Sequence, residues 1–238
     1  WLARDFVESG WDLQHFVKQI VLSATYRQST LTDKKSRELD PKNIYLARGT
    51  TERLSAEMIR DNALALSGLL VKKTGGNSVK PYEVAVAFQP AKPDKGEGLY
   101  RRSLYTWWRR TAPAPVMMTL NASKRDVCRV RREVTASPLQ AFVLLNGPQF
   151  VEASRVMGAQ LLKKHKDAPD ALVAEAYRAF TSRNPTVREA KILRAIYDEQ
   201  LAHFEANPDK ATALLKTGAA PQEKDLPPPQ QAAATVLV

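Results

Sequence analysis

Four residues at the start of one predicted helix, Arg53, Glu57, Arg60 and Asp61, have types and spacing that suit chemistry. Glu57 and Asp61 are four apart and share a helix face, and Arg53 lies four residues before Glu57. Two carboxylates buried together can move protons or hold a metal. With arginines beside them, the same residues can instead form an internal ion-pair network. A second group is Arg101, Arg102, Arg109, Arg131 and Arg132 with Trp108. Guanidinium groups hold carboxylates, sulfates or phosphates through paired hydrogen bonds, and an indole stacks on sugar rings or cations. His15, His165 and His203 are too far apart to show ligand spacing. His15 lies beside the apolar stripe of an amphipathic helix and reads as a structural or surface histidine, with haem or metal ligation and proton transfer as alternatives. The lone Cys128 sits among arginines, which would lower a thiol pKa. Without a matched base, it reads as buried and inert. No phosphate loop, dinucleotide-binding turn, zinc helix, nucleophile elbow or haem-attachment motif occurs. No metal site and no cofactor are expected within the chain.

The charge is concentrated. The 238 residues carry 36 Lys+Arg against 25 Asp+Glu, a formal net of +11. Residues 71–140 hold 14 basic and 5 acidic residues, a net of +9, and the flanking thirds are nearly neutral. A positive middle third attracts polyanions, unless its arginines pair with carboxylates elsewhere in the fold. Nucleic acid is not expected, because no recognition motif accompanies the charge. One cysteine excludes a disulfide framework, and no apolar run reaches the ~18 residues of a membrane span.

These residues are positioned by helices. Gly10 ends a first helix and Asp12 caps a second, in which Leu13, Phe16, Val17, Ile20 and Ala24 recur at helical spacing. Residues 29–40 read as a polar loop. Ser55 caps a third helix with Ile59, Ala63, Leu66 and Leu70 inward, broken at Gly75-Gly76-Asn77. Residues 71–98 form an irregular Pro/Gly-rich loop, and residues 99–110 a small β or extended insertion. Extended alternation turns Trp107 and Trp108 to opposite faces, so at least one of them is buried. Ser137-Pro138-Leu139-Gln140 and Thr186-Val187-Arg188-Glu189 are capping boxes. Phe150, Ala153, Met157 and Leu161 point inward after the first, and Leu193, Ile196, Tyr197, Gln200, Leu201 and Phe204 after the second. The fold class is therefore mainly α. Residues 1–217 read as one helical domain. Residues 218–238, with Pro227-Pro228-Pro229, read as a Pro-rich linker and the start of a truncated element. Trp1 falls inside a helical pattern, so the chain reads as a fragment.

Several segments, in order, resemble one family: WLARDFVESGWDLQHFVKQIVLSATYRQS, RLSAEMIRD, GLYRRSLYTWWRRTAPAP, VCRVRREVTASPLQAFVLLNGPQFVEASR and SRNPTVREAKIL. Together they are similar to the planctomycete-type domain of unknown function 1553 (DUF1553, PSD1 type). That domain lies near the C-terminus of large multidomain proteins carrying a cytochrome c domain. The resemblance implies an exported, extracytoplasmic protein, a c-type haem in another domain, and the cytochrome c domain of the same polypeptide as a partner. It names no reaction. Leu120-Asn121-Ala122-Ser123 stands where the family pattern has Phe-Asp-Ala-Pro, and Ala136 where it has Asn. If those positions serve turns or caps, Asn121 and Ser137 still fill the role.

Three readings follow. The first is a non-catalytic helical module that docks a partner or an anionic polysaccharide through the basic segment. The second is part of a redox or polysaccharide-processing enzyme whose site is shared with other domains, with Glu57 and Asp61 carrying protons. The third, nucleic-acid binding, has no motif behind it.

Overall fold

The computed structural model describes residues 1–82, 92–109, 113–124, 128, 130–166 and 168–238. Parts of the expected loop (83–91), the end of the extended insertion (110) and much of the basic run (125–127 and 129) lie outside the described residues. Eleven helices and no strand occur among the described residues, so the fold is mainly α. Two compact units divide the chain, residues 1–53 and 54–238.

The first unit contains α1 (Leu2–Glu8), α2 (Leu13–Leu22) and α3 (Lys34–Leu39). Gly10, at φ 72°, reverses the chain after α1, and the Asp12 carboxylate caps α2 by accepting from the amides of Gln14 and His15. Phe6 packs on Trp11 and Phe16 with ring centroids 5.2 and 5.0 Å apart. The expected inward stripe of α2 is only half met. Phe16 and Ile20 are half-buried, whereas Leu13, Val17 and Ala24 face solvent, because this unit encloses no apolar core among its own elements. Its one buried residue is polar: the Asp40 carboxylate accepts from the amides of Ile44 and Tyr45 at 2.8 and 2.9 Å. The polar loop expected at 29–40 contains α3, capped by the Asp33 carboxylate through the Ser36 amide.

The second unit has two apolar clusters. One joins Ala56 of α4 (Ala56–Leu66), Val116 and Met117 of α5 (Pro115–Thr119), Val143 of α6 (Pro138–Asn146) and Phe150 of α7 (Pro148–His165). The other joins Met157 and Leu161 of α7 to α8 (Pro169–Thr181), α9 (Val187–Ala206), α10 (Pro208–Leu215) and α11 (Pro228–Leu237). Helix α7 belongs to both, and its predicted inward residues Phe150, Ala153, Met157 and Leu161 are all buried. Both capping boxes form. Ser137 and Gln140 close one and open α6, while Thr186 and Glu189 close the other and open α9.

Two expectations are corrected here. A helix already begins at Pro228, within the stretch read as a Pro-rich linker, and runs to Leu237. Prolines at its first positions supply the φ of a helix start, and Ala232, Ala233 and Ala234 are fully buried against α7 and α9. Small residues allow this close approach: a Cβ on Gly158 of α7 would stand 3.0 Å from the Ala234 backbone. Helix α4 ends at Leu66, with Gly68 at φ 74° after it, well before the glycines at 75 and 76. Its buried face is Ala56, Arg60, Leu64 and Ser67, whereas the expected Ile59, Ala63, Leu66 and Leu70 are half-buried.

The extended insertion is realised as two single parallel bridges, Val71 with Arg101 and Val79 with Thr106, around a 3-10 turn at Ser103–Tyr105. Among the described residues, no helix is long and apolar enough to cross a membrane.

Leucine at position 233 would overpack the α7–α9–α11 contact. Ala233→Leu is therefore expected to destabilise the chain by about 1–3 kcal/mol in urea titrations, whereas a linker site would tolerate it. A pH effect is expected at the start of α9. Hydrogen bonds from Arg183, then Tyr177 and Thr186, hold the Glu189 carboxyl far below the usual carboxylate range. Its stabilisation is complete above the unfolded pKa of about 4.3 and is lost only as pH falls through the lower folded value. An NMR titration should show Glu189 ionised in mild acid, with Arg183→Gln moving its midpoint up towards that of an ordinary glutamate.

Candidate functional site

Arg60 is the only charged residue on the small-residue face of α4, and it is 1% exposed. A buried guanidinium needs acceptors in fixed directions. Its Nε donates to Gln149 Oε1 at 2.7 Å. Its two terminal nitrogens donate to the carbonyls of Arg101 and Leu99 at 2.8 and 2.7 Å. The next residue, Asp61, accepts from the Ser103 amide and hydroxyl at 2.7 and 2.6 Å. The pair Arg60–Asp61 thus pins the turn from Leu99 to Ser103 onto α4 and α7.

Glu57 and Asp61 do share a face, and both have cationic neighbours. Glu57 Oε2 meets Arg132 at 2.6 Å, and Asp61 lies 3.7 Å from Arg60 and 4.0 Å from Arg102. Burial alone would raise the Glu57 carboxyl, but the Arg132 guanidinium outweighs it and holds that carboxyl below its ordinary value. A carboxylate held ionised in this way is poorly suited to giving or taking protons near neutral pH. Glu57 therefore sits in an ion pair with Arg132, and Asp61 beside Arg60 and Arg102.

The basic candidates separate. Arg101 is buried, and its guanidinium is occupied within the fold. It donates to the carbonyls of Asn77, Lys73 and Gly75 and stacks 3.9 Å above the Tyr105 ring, whose hydroxyl accepts from the Gly75 amide. Its role as a surface anion ligand is corrected: a side chain that staples the 73–77 loop has no face left for solvent. Arg132 is half engaged by Glu57, whereas Arg102, Arg109 and Arg131 are exposed. Trp108 is half-buried on the apolar cluster beside α5, with its indole N–H donating to the Lys124 carbonyl at 2.6 Å. Trp107 is exposed, with the Lys80 ammonium 5.1 Å from its ring. Neither tryptophan is buried, against the expectation that one would be, because no strand forms there to turn one ring inward.

Beside this surface, a cavity of about 120 Å³ is lined by Asn121, Ser123, Lys124, Arg132, Glu133 and Met118. Asn121 adopts φ 66°, a left-handed turn position that asparagine and aspartate tolerate, and its amide donates to Thr135. Asn121 and Ser137 thus serve a turn and a cap, the roles expected of them. A larger apolar cavity of about 270 Å³ lies between α4, α6, α7 and α8.

Among the described residues, no group of three or more His, Cys, Asp or Glu side chains is placed to hold a metal. His15 contacts Gln19 and Asp5, and His165 pairs with Glu175 at 2.6 Å. Cys128 is exposed, against the expectation of burial. Its arginine-rich sequence surroundings supply few apolar side chains to cover it. Sequence reasoning missed one buried polar group entirely, Glu152 and Arg155 of α7, 1% and 3% exposed. Their spacing of three, on the same helix as the apolar stripe, was the available signal.

What the helices and this framework define is a mainly α fold with buried arginines that donate to backbone carbonyls. The chain belongs to the PSD1 family, described as protein of unknown function (DUF1553), whose model matches residues 1–197. No curated protein and no solved structure matches it.

Removing the Arg60 guanidinium leaves two carbonyls and an amide oxygen buried without a donor. Arg60→Met is expected to cost about 3 kcal/mol or more by denaturant unfolding, since each stranded acceptor costs about 1–3 kcal/mol. Arg60→Lys should recover little of that, because an ammonium cannot span the three directions.

Proposed function

We propose that this domain is a non-catalytic recognition module that binds an anionic partner through the rim formed by Arg102, Arg109 and Arg131, with Trp107 beside them. The observation that carries this reading is the division among the arginines. Among the described residues, Arg60 and Arg101 are buried on carbonyls and Arg132 pairs with Glu57, whereas Arg102, Arg109 and Arg131 are exposed. Exposed guanidinium groups beside an indole suit sulfate or carboxylate groups carried on sugar rings. An anionic polysaccharide is therefore the favoured ligand class. Family membership supports the wider setting: an exported, extracytoplasmic multidomain protein in which this module works alongside a cytochrome c domain that carries the haem.

Calorimetric titration with sulfated and carboxylated oligosaccharides, at low and at physiological salt, tests the reading. Saturable binding that weakens several-fold or more with salt is expected. Replacing Arg102, Arg109 and Arg131 together by Ser should weaken it by about tenfold or more, as loss of the local positive potential requires. Glu57→Gln should not weaken it. Binding that ignores salt, or that survives the triple replacement, overturns the proposal.

A further inference from the structure

The apolar cavity of the second unit, about 270 Å³, is walled by α4 and α7 together with α6 and α8. Folded interiors hold few voids much larger than a water molecule. This one falls just below the roughly 300–1,000 Å³ usual for small-molecule pockets. The apolar stripe of α7 forms its floor, where Phe150, Ala153 and Met157 are buried. Leu54 and Phe180 also line it but are exposed, so the cavity opens to solvent between apolar side chains. A bound molecule would cover the apolar surface that those two side chains now present to water.

Two lining side chains are polar, Asn62 on α4 and Ser154 on α7, and both are half-buried. No hydrogen bond ties either side chain to another described residue. A serine within a helix can turn its hydroxyl onto the carbonyl four residues back. Asn62 has no such outlet, and its amide can both donate and accept. None of the lining side chains is charged. An ion entering the cavity would lose hydration without gaining a counter-charge, whereas a neutral molecule avoids that cost. The volume sets the size. An apolar cavity of about 150 Å³ is enough for benzene, and the larger space here suits a molecule of about ten non-hydrogen atoms.

We propose that this cavity binds a small neutral amphiphile, whose aromatic or branched apolar body packs on the α7 stripe and whose single hydroxyl or carbonyl group bonds the Asn62 amide. The site is independent of the anion-binding surface proposed above, since none of Arg102, Arg109 and Arg131 lines it.

Three compounds of matched size test this: 3-phenylpropan-1-ol, butylbenzene, in which a methyl group replaces the hydroxyl, and 3-phenylpropanoate. In NMR titrations of the methyl-labelled protein, the alcohol should shift Met157 saturably and more than the other three methionines. The carboxylate should bind about tenfold more weakly or worse, because no cation meets it. Asn62→Leu should weaken the alcohol about fivefold, the value of one typical hydrogen bond, and leave butylbenzene no weaker. A parent protein whose Met157 signal shows no saturable shift overturns the proposal. So does a carboxylate that binds as tightly as the alcohol, an alcohol affinity that Asn62→Leu leaves unchanged, or an equal loss of both neutral compounds in that variant.

Discussion

A guanidinium at 1% exposure has to find its acceptors without bulk water, and Arg60 finds them in three separate stretches of chain. Gln149 at the start of α7, the carbonyl of Leu99 and the carbonyl of Arg101 all converge on it. Losing any of them would leave a buried donor unmet, so the relative placement of α4, α7 and the 99–103 turn is tightly constrained. Asp61 adds a second fastening through Ser103. The exposed Arg102 is mounted on this joint, since it directly follows one of its carbonyls.

The same device recurs. Arg101 holds the 73–77 loop by three carbonyls, and Arg155 holds residues 220 and 221 by two. In each case the secured segment is irregular and its carbonyls lack strand or helix partners. The arginine fork supplies donors where regular structure supplies none. In a fold with eleven helices and no strand among its described residues, these two arginines supply donors to five carbonyls of irregular segments. The described arginines of the middle third accordingly fall into two populations, those spent inward as structural donors and those left at the surface.

The helical elements were legible because their signals are local. Capping boxes at Ser137 and Thr186, the caps at Asp12 and Ser55, and the apolar stripe of α7 need only neighbours three or four residues away. Helix α11 was misread for the converse reason. Three prolines and a run of alanines look like a linker until α7 and α9 offer a surface close enough to bury side chains that small. The third helix was misphased because its inward face was read from apolar residues alone, which left Arg60 out of it. Nothing within α4 indicates that distant carbonyls will receive it. Cys128 and Arg101 were misjudged likewise, one too buried and one too exposed.

By itself, the sequence determined the fold class, most helix starts, the concentration of positive charge and membership of the PSD1 family, since each is encoded in composition or short-range pattern. Only the tertiary structure decided which of the described arginines are donors to the fold and which are exposed. It alone also decided that Glu57 is held as an ion-pair partner, and that Glu152 and Arg155 meet a strap some 65 residues further along the chain. Charge is a property of the residue, whereas its availability depends on which acceptors the packed helices bring within hydrogen-bonding distance.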